Sequence, residues 1–391
     1  MPMIKEAKER TTKLQLKMQE LNIPLAIFTD ESSIAYLAGF WGYLGVEFGR
    51  PTMLLIFADS DPLIITPLVE AEMVTKMTWV EKVDIWEDFG ENTWGKYLYS
   101  AIIAKIGNNP KSLWIEKNQI PQIVRIFLEE KFKLNKIEDI GPILGEMRTI
   151  KSPLEINIMK KAGLIAGAMM EAAHKSLSEG TPEYESALSV IEAGTRKAAG
   201  FLTNKGWERF VSPMIYNLQI LNSGKDNSMS HRRASIKTYK KFDPVYFCFC
   251  NMAQFKQYKL GFDRMFFIKG VTDASKRIQQ TAIDAQQAAL AAVRPGVQAE
   301  EIANIANIIY KEKGYTTAYR TGRSIGMSYL EAPELKQGDK TILKAGMTFA
   351  VDGGISIDGK VAGRIGDSIV VTETGFEYLT EYKREIMITD K

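Results

Sequence analysis

Histidine and cysteine are the scarcest reactive side chains in this 391-residue sequence, which has two of each. The spacings HExxH and CxxC are absent, so the sequence does not predict a zinc centre of those kinds. Cys248 and Cys250 are separated by one residue within the apolar run 245–250, which we expect to be a β-strand. Side chains two residues apart on an extended backbone are poorly placed for a disulfide, so we expect free thiols and a reducing compartment.

A charge excess and long apolar segments are also lacking. Lys and Arg number 50 against 47 Asp and Glu, which gives a formal net charge of +3 without a basic block. That balance gives no electrostatic reason to expect a nucleic-acid partner. No apolar stretch approaches the roughly 18 residues of a membrane span, and residues 1–6 lack the apolar core of a signal peptide. We therefore expect a cytoplasmic protein without nucleic-acid or membrane partners.

Two domains are predicted, residues 1–148 and residues 149–391. Helical and strand patterns alternate in the first domain, which is typical of an α/β unit. Its clearest strand-like runs, the last two of which form a predicted hairpin, are 25–28, 53–57 and 63–65. The second domain begins with a capping-box pattern, in which Ser152 precedes Pro153 and Glu155 follows three residues after the cap. Helices between blocks of antiparallel-type strand predict an α+β catalytic domain there.

Five polar residues stand out as candidates for chemistry, and each also has a plain structural interpretation. His174 lies near the C-terminal end of a predicted helix, where interaction with the helix dipole is a sufficient role. His231 lies in an irregular polar segment between two strand-like regions, a position typical of acid–base groups. Asp263 and Asp352 follow apolar residues and suit either a site carboxylate or a surface turn. Arg323 stands among glycines, where a guanidinium can bind a carboxylate through two hydrogen bonds.

The order of several segments is more specific than any one of them. After His231 and a strand that opens at Asp243 come RMFFIKG (264–270), RTGRSIG (320–326), LKAGMTF (343–349) and IVVTETGFEYL (369–379). Together they resemble the pita-bread family of Xaa-Pro aminopeptidases, prolidases, methionine aminopeptidases and creatinases. The resemblance implies an α+β fold, in which a pita-bread catalytic domain is preceded by an α/β domain of the creatinase/prolidase N-terminal type.

The resemblance also implies a site for two metal ions, from which this sequence departs. The peptidases of the family hold the ions with two Asp, one His and two Glu. The corresponding positions here are, in order, Cys248 or Cys250, Lys259 or Phe262, Arg323, Asp352 and Gly366. Of these residues, Asp352 alone is a good ligand for a hard cation, and Arg323 would repel one. We therefore expect no metal or other cofactor, and the sequence disfavours a peptidase.

The metal-free branch of the family, the ectoine hydrolases and creatinases, fits the remaining residues better. By that resemblance His231 is the general acid–base. Thiol chemistry adds Cys250 as a possible nucleophile only if a nearby cation such as His231 lowers its pKa. The predicted catalytic residues are therefore His231, Asp263, Asp352 and Cys250, and the predicted substrate-binding residues are Phe48, Arg50, Arg323 and Tyr329. The predicted function is metal-independent hydrolysis of a C–N bond in a small zwitterionic compound.

Two other functions stay open. A pita-bread domain without metal ligands can serve as a non-catalytic binding protein, and an Xaa-Pro dipeptidase remains possible if the protein holds metal. The creatinase-like architecture usually builds its pocket at a dimer interface, so we also expect a homodimer.

Overall fold

The computed structural model describes residues 2–42, 49–108, 110, 112–132, 136–215, 220–316, 320–357 and 361–389. The chain forms two units. The first consists of Met1–Met147 with Lys205–Phe210, and the second of Arg148–Asn204 with Val211–Lys391. None of the described helices is long and apolar enough to cross a membrane.

The first unit is built on a mixed sheet of six strands in the order β4-β3-β2-β1-β5-β6. The strands are β1 (Leu25–Phe28), β2 (Met53–Phe57), β3 (Leu63–Pro67), β4 (Lys82–Trp86), β5 (Ser112–Ile115) and β6 (Lys136–Asp139). Strands β1, β2 and β3 pair antiparallel, whereas β4, β5 and β6 join the sheet through parallel pairs. The β2–β3 pairing confirms the predicted hairpin.

Helices precede, connect and follow these strands along the chain. They are α1 (Pro2–Glu20), α2 (Glu31–Ala38), α3 (Ala71–Met77), α4 (Trp94–Ile106), α5 (Gln122–Phe132) and α6 (Gly141–Thr149). Leu98 and Ile102 of α4 and Leu128 of α5 are buried with apolar residues of β1 and β2 in one core. The α/β character predicted for this part of the chain is confirmed.

The second unit contains four long helices and the larger sheet. The helices are α7 (Pro153–Ser176), α8 (Glu183–Ala199), α9 (Asp273–Ala291) and α10 (Ala299–Glu312). The predicted capping box is present at the start of α7: the Glu155 amide donates to Ser152 Oγ at 3.1 Å, and the Ser152 amide donates to Glu155 Oε2 at 2.7 Å. Two of the free amides of the first turn are thereby satisfied, which helps to define where the helix begins.

The sheet of the second unit runs in the order β13-β12-β14-β15-β11-β8-β7, with β16 beside β15 and β17 beside β11. Its strands are β7 (Ile220–Ser223), β8 (Pro244–Cys248), β11 (Asp263–Ile268), β12 (Gly322–Ser324), β13 (Glu331–Leu335), β14 (Thr348–Ile357), β15 (Val361–Val371), β16 (Phe376–Tyr378) and β17 (Met387–Thr389). A separate small hairpin joins β9 (Gln254–Phe255) to β10 (Tyr258–Lys259). Helices α9 and α10 bury their apolar faces against β14 and β15.

Strands β11 and β15 meet at one residue pair, Asp263 and Gly366. Beyond that pair β11 continues beside β8 and β17, while β15 continues beside β14 and β16. The two halves of the sheet therefore join at Asp263 and Gly366, and this junction positions the candidate site.

Candidate functional site

Four residues form a row across four adjacent strands at the junction. Cys248 on β8 lies opposite Asp263 on β11, Asp263 lies opposite Gly366 on β15, and Gly366 lies opposite Asp352 on β14. Residues directly opposite each other in a sheet project from the same face. The register therefore brings one thiol and two carboxylates to one face, although they are far apart in sequence.

Gly366 gives the two carboxylates of this row their space. A Cβ atom at Gly366 would lie 2.6 Å from Oδ2 of Asp263 and 2.8 Å from Oδ1 of Asp352. Real Cβ contacts are longer than that, so any side chain here would displace both carboxylates. The absence of a side chain at this position is thus part of how the site is built.

The Arg323 guanidinium fills the centre of the site. It reaches there from β12, and its side chain is 3% exposed. Its Nη1 donates to Asp352 Oδ2 at 2.5 Å and its Nη2 donates to Cys250 Sγ at 3.3 Å. The Tyr329 hydroxyl also accepts a hydrogen bond from Nη2, and the Tyr329 ring centroid lies 4.3 Å from the guanidinium carbon. A second glycine, Gly261, leaves room for this group, because a Cβ there would lie 3.0 Å from Nη2.

Both cysteines are free thiols, as expected. A hydrogen bond from Cys248, followed by the Arg323 charge and the Tyr329 hydroxyl, lowers the pKa of Cys250 below its usual value. Burial and the interaction with Cys250 raise the pKa of Cys248. Cys250 is therefore the more readily ionised thiol of the two.

Asp263 lies in a different environment from Asp352. Burial, reinforced by the negative charges of Asp352 and Cys250, raises the pKa of Asp263 well above its usual value. Asp352 is 27% exposed and paired with Arg323. The site thus combines a carboxyl group that favours its neutral form with a carboxylate held by a guanidinium.

Three buried polar atoms of the site have no hydrogen-bond partner among the described residues. They are Oδ1 of Asp263, Oδ1 of Asp352 and Nε of Arg323. Buried polar groups in native proteins are normally paired, so these two acceptors and one donor are available to bind a polar ligand.

Residues behind the site hold its strands in place. Arg264 Nη2 donates to Asp367 Oδ1 at 2.8 Å, and both side chains are at most 1% exposed. Arg384 adds a second ion pair to Asp367, and Ser368 Oγ hydrogen-bonds the backbone of Gly261. These positions were not predicted from the sequence. The available signal was the acidic residue Asp367 next to Gly366 within one apolar strand, but its role can be recognised only once the strand register is known.

Three predicted site residues are not part of the hydrogen-bonded cluster that the structure describes around Arg323. His231 is exposed in the turn that follows the short 3-10 helix Gly224–Ser228, and no described hydrogen bond of the Arg323 cluster involves it. Arg50 belongs to the first unit, where Nη2 pairs with Asp88 Oδ2 at 2.8 Å and both side chains are about two-fifths exposed, at 43% and 41%. Phe48 lies outside the described residues.

The other predicted residues come together: Asp263, Asp352, Cys250, Arg323 and Tyr329 are all within the cluster. His174 has the structural role considered for it, since Nδ1 lies 2.9 Å from the Tyr382 hydroxyl and the ring packs on Phe266 at a centroid distance of 4.8 Å. Neither residue predicted for the second of the five implied metal positions supplies an oxygen ligand, since Phe262 is apolar and the Lys259 ammonium donates to the backbone of Met327 at 2.6 Å.

The donors at this site do not fit a pair of hard metal ions. Hard cations require several oxygen ligands, and two adjacent ions need carboxylates that bridge them. Here a guanidinium occupies the centre, and Gly366 and Gly261 have no side-chain donor. Whatever chemistry the site performs must be derived from the groups that are present.

Residues 157–373 match the Metallopeptidase family M24, and residues 10–150 match the Creatinase/Prolidase N-terminal domain. The chain therefore belongs to the M24 family and carries the creatinase-type N-terminal domain. This confirms the predicted fold class, a mixed α+β protein with a pita-bread domain in its second part.

Several proteins are similar over nearly the whole chain. The Xaa-Pro dipeptidase of Pyrococcus furiosus is 27% identical over 389 residues, which cover 97% of this chain and 100% of that protein. The agropine synthesis cyclase of Rhizobium rhizogenes is 26% identical over 381 residues, 94% of each chain. The crystal structure of a prolidase from Thermococcus sibiricus superposes with a TM-score of 0.86 at 24% identity, covering 98% of this chain and 99% of that one, which shows the shared fold.

These relatives correct the predicted function. The sequence analysis favoured a metal-independent C–N hydrolase of the creatinase or ectoine-hydrolase type, with His231 as acid–base, and disfavoured a peptidase. That prediction is wrong, because the similar proteins are mainly Xaa-Pro dipeptidases and prolidases. His231 is exposed on a turn, and its role at the site stays a prediction.

Proposed function

We propose that this chain is a dipeptide-recognising member of the M24 family, with Xaa-Pro dipeptides as its ligand class, and that it binds them without two-ion hydrolysis. The ligand class is supported by the names of relatives that match the chain from end to end. The observation that carries the proposal is the Arg323 guanidinium, which is paired with Asp352 at 2.5 Å in the centre of the site. The earlier expectations of kinship with ectoine hydrolase and of a homodimer stay predictions.

The unpartnered atoms suit such a ligand. A dipeptide carries an ammonium group, an amide and a carboxylate, so it offers both donors and acceptors. Oδ1 of Asp352 and Oδ1 of Asp263 accept from donors, and Nε of Arg323 donates to an oxygen. Ligand binding would satisfy groups that otherwise cost about 1–3 kcal/mol each when buried unpaired. The 27% exposure of Asp352 gives a ligand access from one side.

Not every relative that matches this chain is named for peptide cleavage. The relative from Rhizobium rhizogenes is named as a cyclase of agropine synthesis. This name supports the idea that a protein of this architecture can bind its ligand without hydrolysing a peptide, because one fold can carry sites of different function.

The test is calorimetric titration of the chelator-treated protein with Ala-Pro, with Pro-Ala and Ala-Ala as comparison ligands. We expect binding of Ala-Pro and a loss of at least about tenfold in Arg323→Met, since a charge-assisted hydrogen bond contributes about 1.5–3 kcal/mol. Arg320→Met is the matched control, because Arg320 pairs with Glu334 at 2.7 Å instead. Arg323→Lys keeps the positive charge and tests whether the guanidinium contacts themselves are needed. Circular dichroism on every variant shows whether it is folded. Absence of binding by the unaltered protein refutes the proposal.

The second candidate is an Xaa-Pro dipeptidase that works with one bound ion. The observation that favours it is a group of three potential ligands, Cys248, Cys250 and Asp263, whose donor atoms all lie within 4.8 Å of one another. Release of free proline from Ala-Pro by zinc- or cobalt-treated protein, and its loss on chelation, would establish this function in place of the first.

A further inference from the structure

We propose that Cys248, Cys250 and Asp263 form a binding site for a single thiophilic divalent cation of the zinc class. The site differs from the two-ion centre of the peptidases in its donors, in its number of ions and in the kind of metal it selects. The inference specifies the ion that the second candidate function would use, and it does not depend on the dipeptide binding proposed first.

The backbone brings the three donors together in a simple way. Cys248 is the last residue of β8 and Cys250 follows two residues later, so both thiols extend from the end of one strand. Asp263 is the first residue of β11 and lies directly opposite Cys248. The two sulfur atoms and a carboxylate oxygen lie within 4.8 Å of one another. Tetrahedral zinc, with bonds of about 2.3 Å to sulfur and 2.0–2.2 Å to oxygen, holds such donors roughly 3.5–3.8 Å apart, so closure requires movements of about an ångström at most.

The Asp263 carboxyl group provides an independent reason to expect a ligand. The residue is 5% exposed, and its Oδ1 has no hydrogen-bond partner among the described residues. A buried carboxyl oxygen without a partner is costly unless something binds it. Coordination to a cation would satisfy it.

The donor chemistry selects the metal. Thiolates favour Zn²⁺ and similar soft ions, whereas Mg²⁺ and Mn²⁺ favour carboxylates, carbonyls and water. Three protein ligands leave a fourth tetrahedral position open, as in catalytic rather than structural zinc sites. The site therefore has room for water or a ligand group on the metal.

Arg323 is compatible with a cation at this position. Its charge is already balanced by Asp352, with which it forms a hydrogen bond of 2.5 Å. Its Nη2 lies 3.3 Å from Cys250 Sγ and donates to it. An N–H donor to a metal-bound thiolate orients the ligand and stabilises its negative charge. The half-buried position of Cys250 gives the ion a way in, whereas Cys248 and Asp263 are buried.

The experiment is a titration of the full-length, reduced and chelator-stripped protein with Co²⁺, followed by displacement with Zn²⁺. We expect a sulfur-to-cobalt charge-transfer band that saturates at one equivalent and disappears when zinc is added. Native mass spectrometry of the cadmium-loaded protein should show one ion per chain. Mn²⁺ should bind far more weakly in calorimetry.

Variants identify the donors. Cys248→Ser and Cys250→Ser should each weaken the band and lower zinc affinity by more than about 100-fold, because removing even an outer hydrogen-bond partner of a metal ligand costs about 10–100-fold. Asp263→Asn should lower affinity while keeping the sulfur band. Glu373→Gln, at an exposed carboxylate of the same unit, is the control and should bind as the unaltered protein does. Circular dichroism verifies that each variant is folded.

Three results overturn the inference: no charge-transfer band, a band whose intensity is unchanged when either cysteine is replaced, or equal affinity for Mn²⁺. Dipeptide binding is measured on the chelated protein, so its outcome is independent of these results.

Discussion

The ion pair between Lys151 and Glu331 offers the clearest test of what holds the second unit together. Lys151 precedes the N-cap of α7, and Glu331 opens β13. Their side chains are 1% and 6% exposed, and Lys151 Nζ lies 2.9 Å from Glu331 Oε2. The other oxygen, Oε1, accepts a hydrogen bond from the Ser328 amide at 3.0 Å. The pair therefore fixes the turn that carries Tyr329 toward the Arg323 guanidinium.

Replacement of Lys151 by Met should destabilise the second unit by about 3–5 kcal/mol, because it leaves the Glu331 carboxylate buried without its partner. For a unit of this size that corresponds to a fall in melting temperature of roughly 6–20 °C. The exposed pair of Lys160 and Glu377 is a matched control, since its atoms are 2.8 Å apart but its side chains are 50% and 56% exposed. Lys160→Met should cost no more than about 1 kcal/mol.

Denaturant unfolding of the full chain, followed by circular dichroism, measures both changes. In the double variant Lys151→Met/Glu331→Leu much of the loss should be recovered, because no buried charge is left unpaired. If Lys151→Met costs no more than Lys160→Met, the assignment of this pair as a buried constraint is refuted.

The same pair predicts a pH dependence. Burial alone would raise the pKa of Glu331, but the positive charges of Lys151 and Arg148 outweigh it and lower the pKa below its usual value. The stabilisation is therefore present above the pKa of the unfolded chain and is lost as the pH falls through the lower pKa of the folded protein. In Glu331→Gln this acid-side loss should be absent.

Two further predictions concern packing and a buried carboxyl group. Gly163→Ala should destabilise the second unit by about 1–3 kcal/mol or more in thermal unfolding, because its Cβ would lie 1.6 Å from the Leu379 carbonyl oxygen. Gly167→Ala, one turn later on α7 with 3.5 Å to its nearest backbone oxygen, should be neutral or stabilising by up to about 1 kcal/mol, and equal costs would contradict the reasoning. In the first unit, burial raises the pKa of Glu70 despite its hydrogen bond from Thr52. The unfolding free energy should therefore decrease as the pH rises from the usual pKa of a glutamate through the raised pKa of Glu70 in the folded protein. Glu70→Gln should abolish this slope in urea titrations at several pH values.

Local sequence signals were sufficient for the elements and for the family. The capping box at Ser152 depends on residues within one helical turn, and the hairpin of β2 and β3 depends on two adjacent apolar runs and the turn between them. Such features are encoded by neighbours in sequence. The ordered motifs of the second domain then indicated the fold, which the family match confirms.

The site itself could be predicted only in part, because it depends on strand register. Asp263, Asp352 and Arg323 were identified from their local surroundings, but no local pattern shows that Gly366 separates the two carboxylates. The same limit applies to Gly261, whose role is to leave room beside a guanidinium from another strand. The exposure of His231 likewise depends on how its turn packs, which the polar sequence around it does not specify.

The unusual residues of the site depend on one another, so no single substitution would convert it into a two-ion centre. A glutamate introduced at Gly366 would place its Cβ within 3 Å of oxygens of both Asp263 and Asp352 and would add a third carboxylate to the row. The charge of Asp352 already opposes ionisation of Asp263, so the added charge would need a cation that Arg323 prevents from occupying the centre. Removing Arg323 alone would leave Asp352 without its ion pair. The arginine therefore neutralises charge at the junction of the sheet where the peptidases use two metal ions, and the two glycines leave space for it. The two thiols and Asp263 can still bind one thiophilic ion on the Cys248 side.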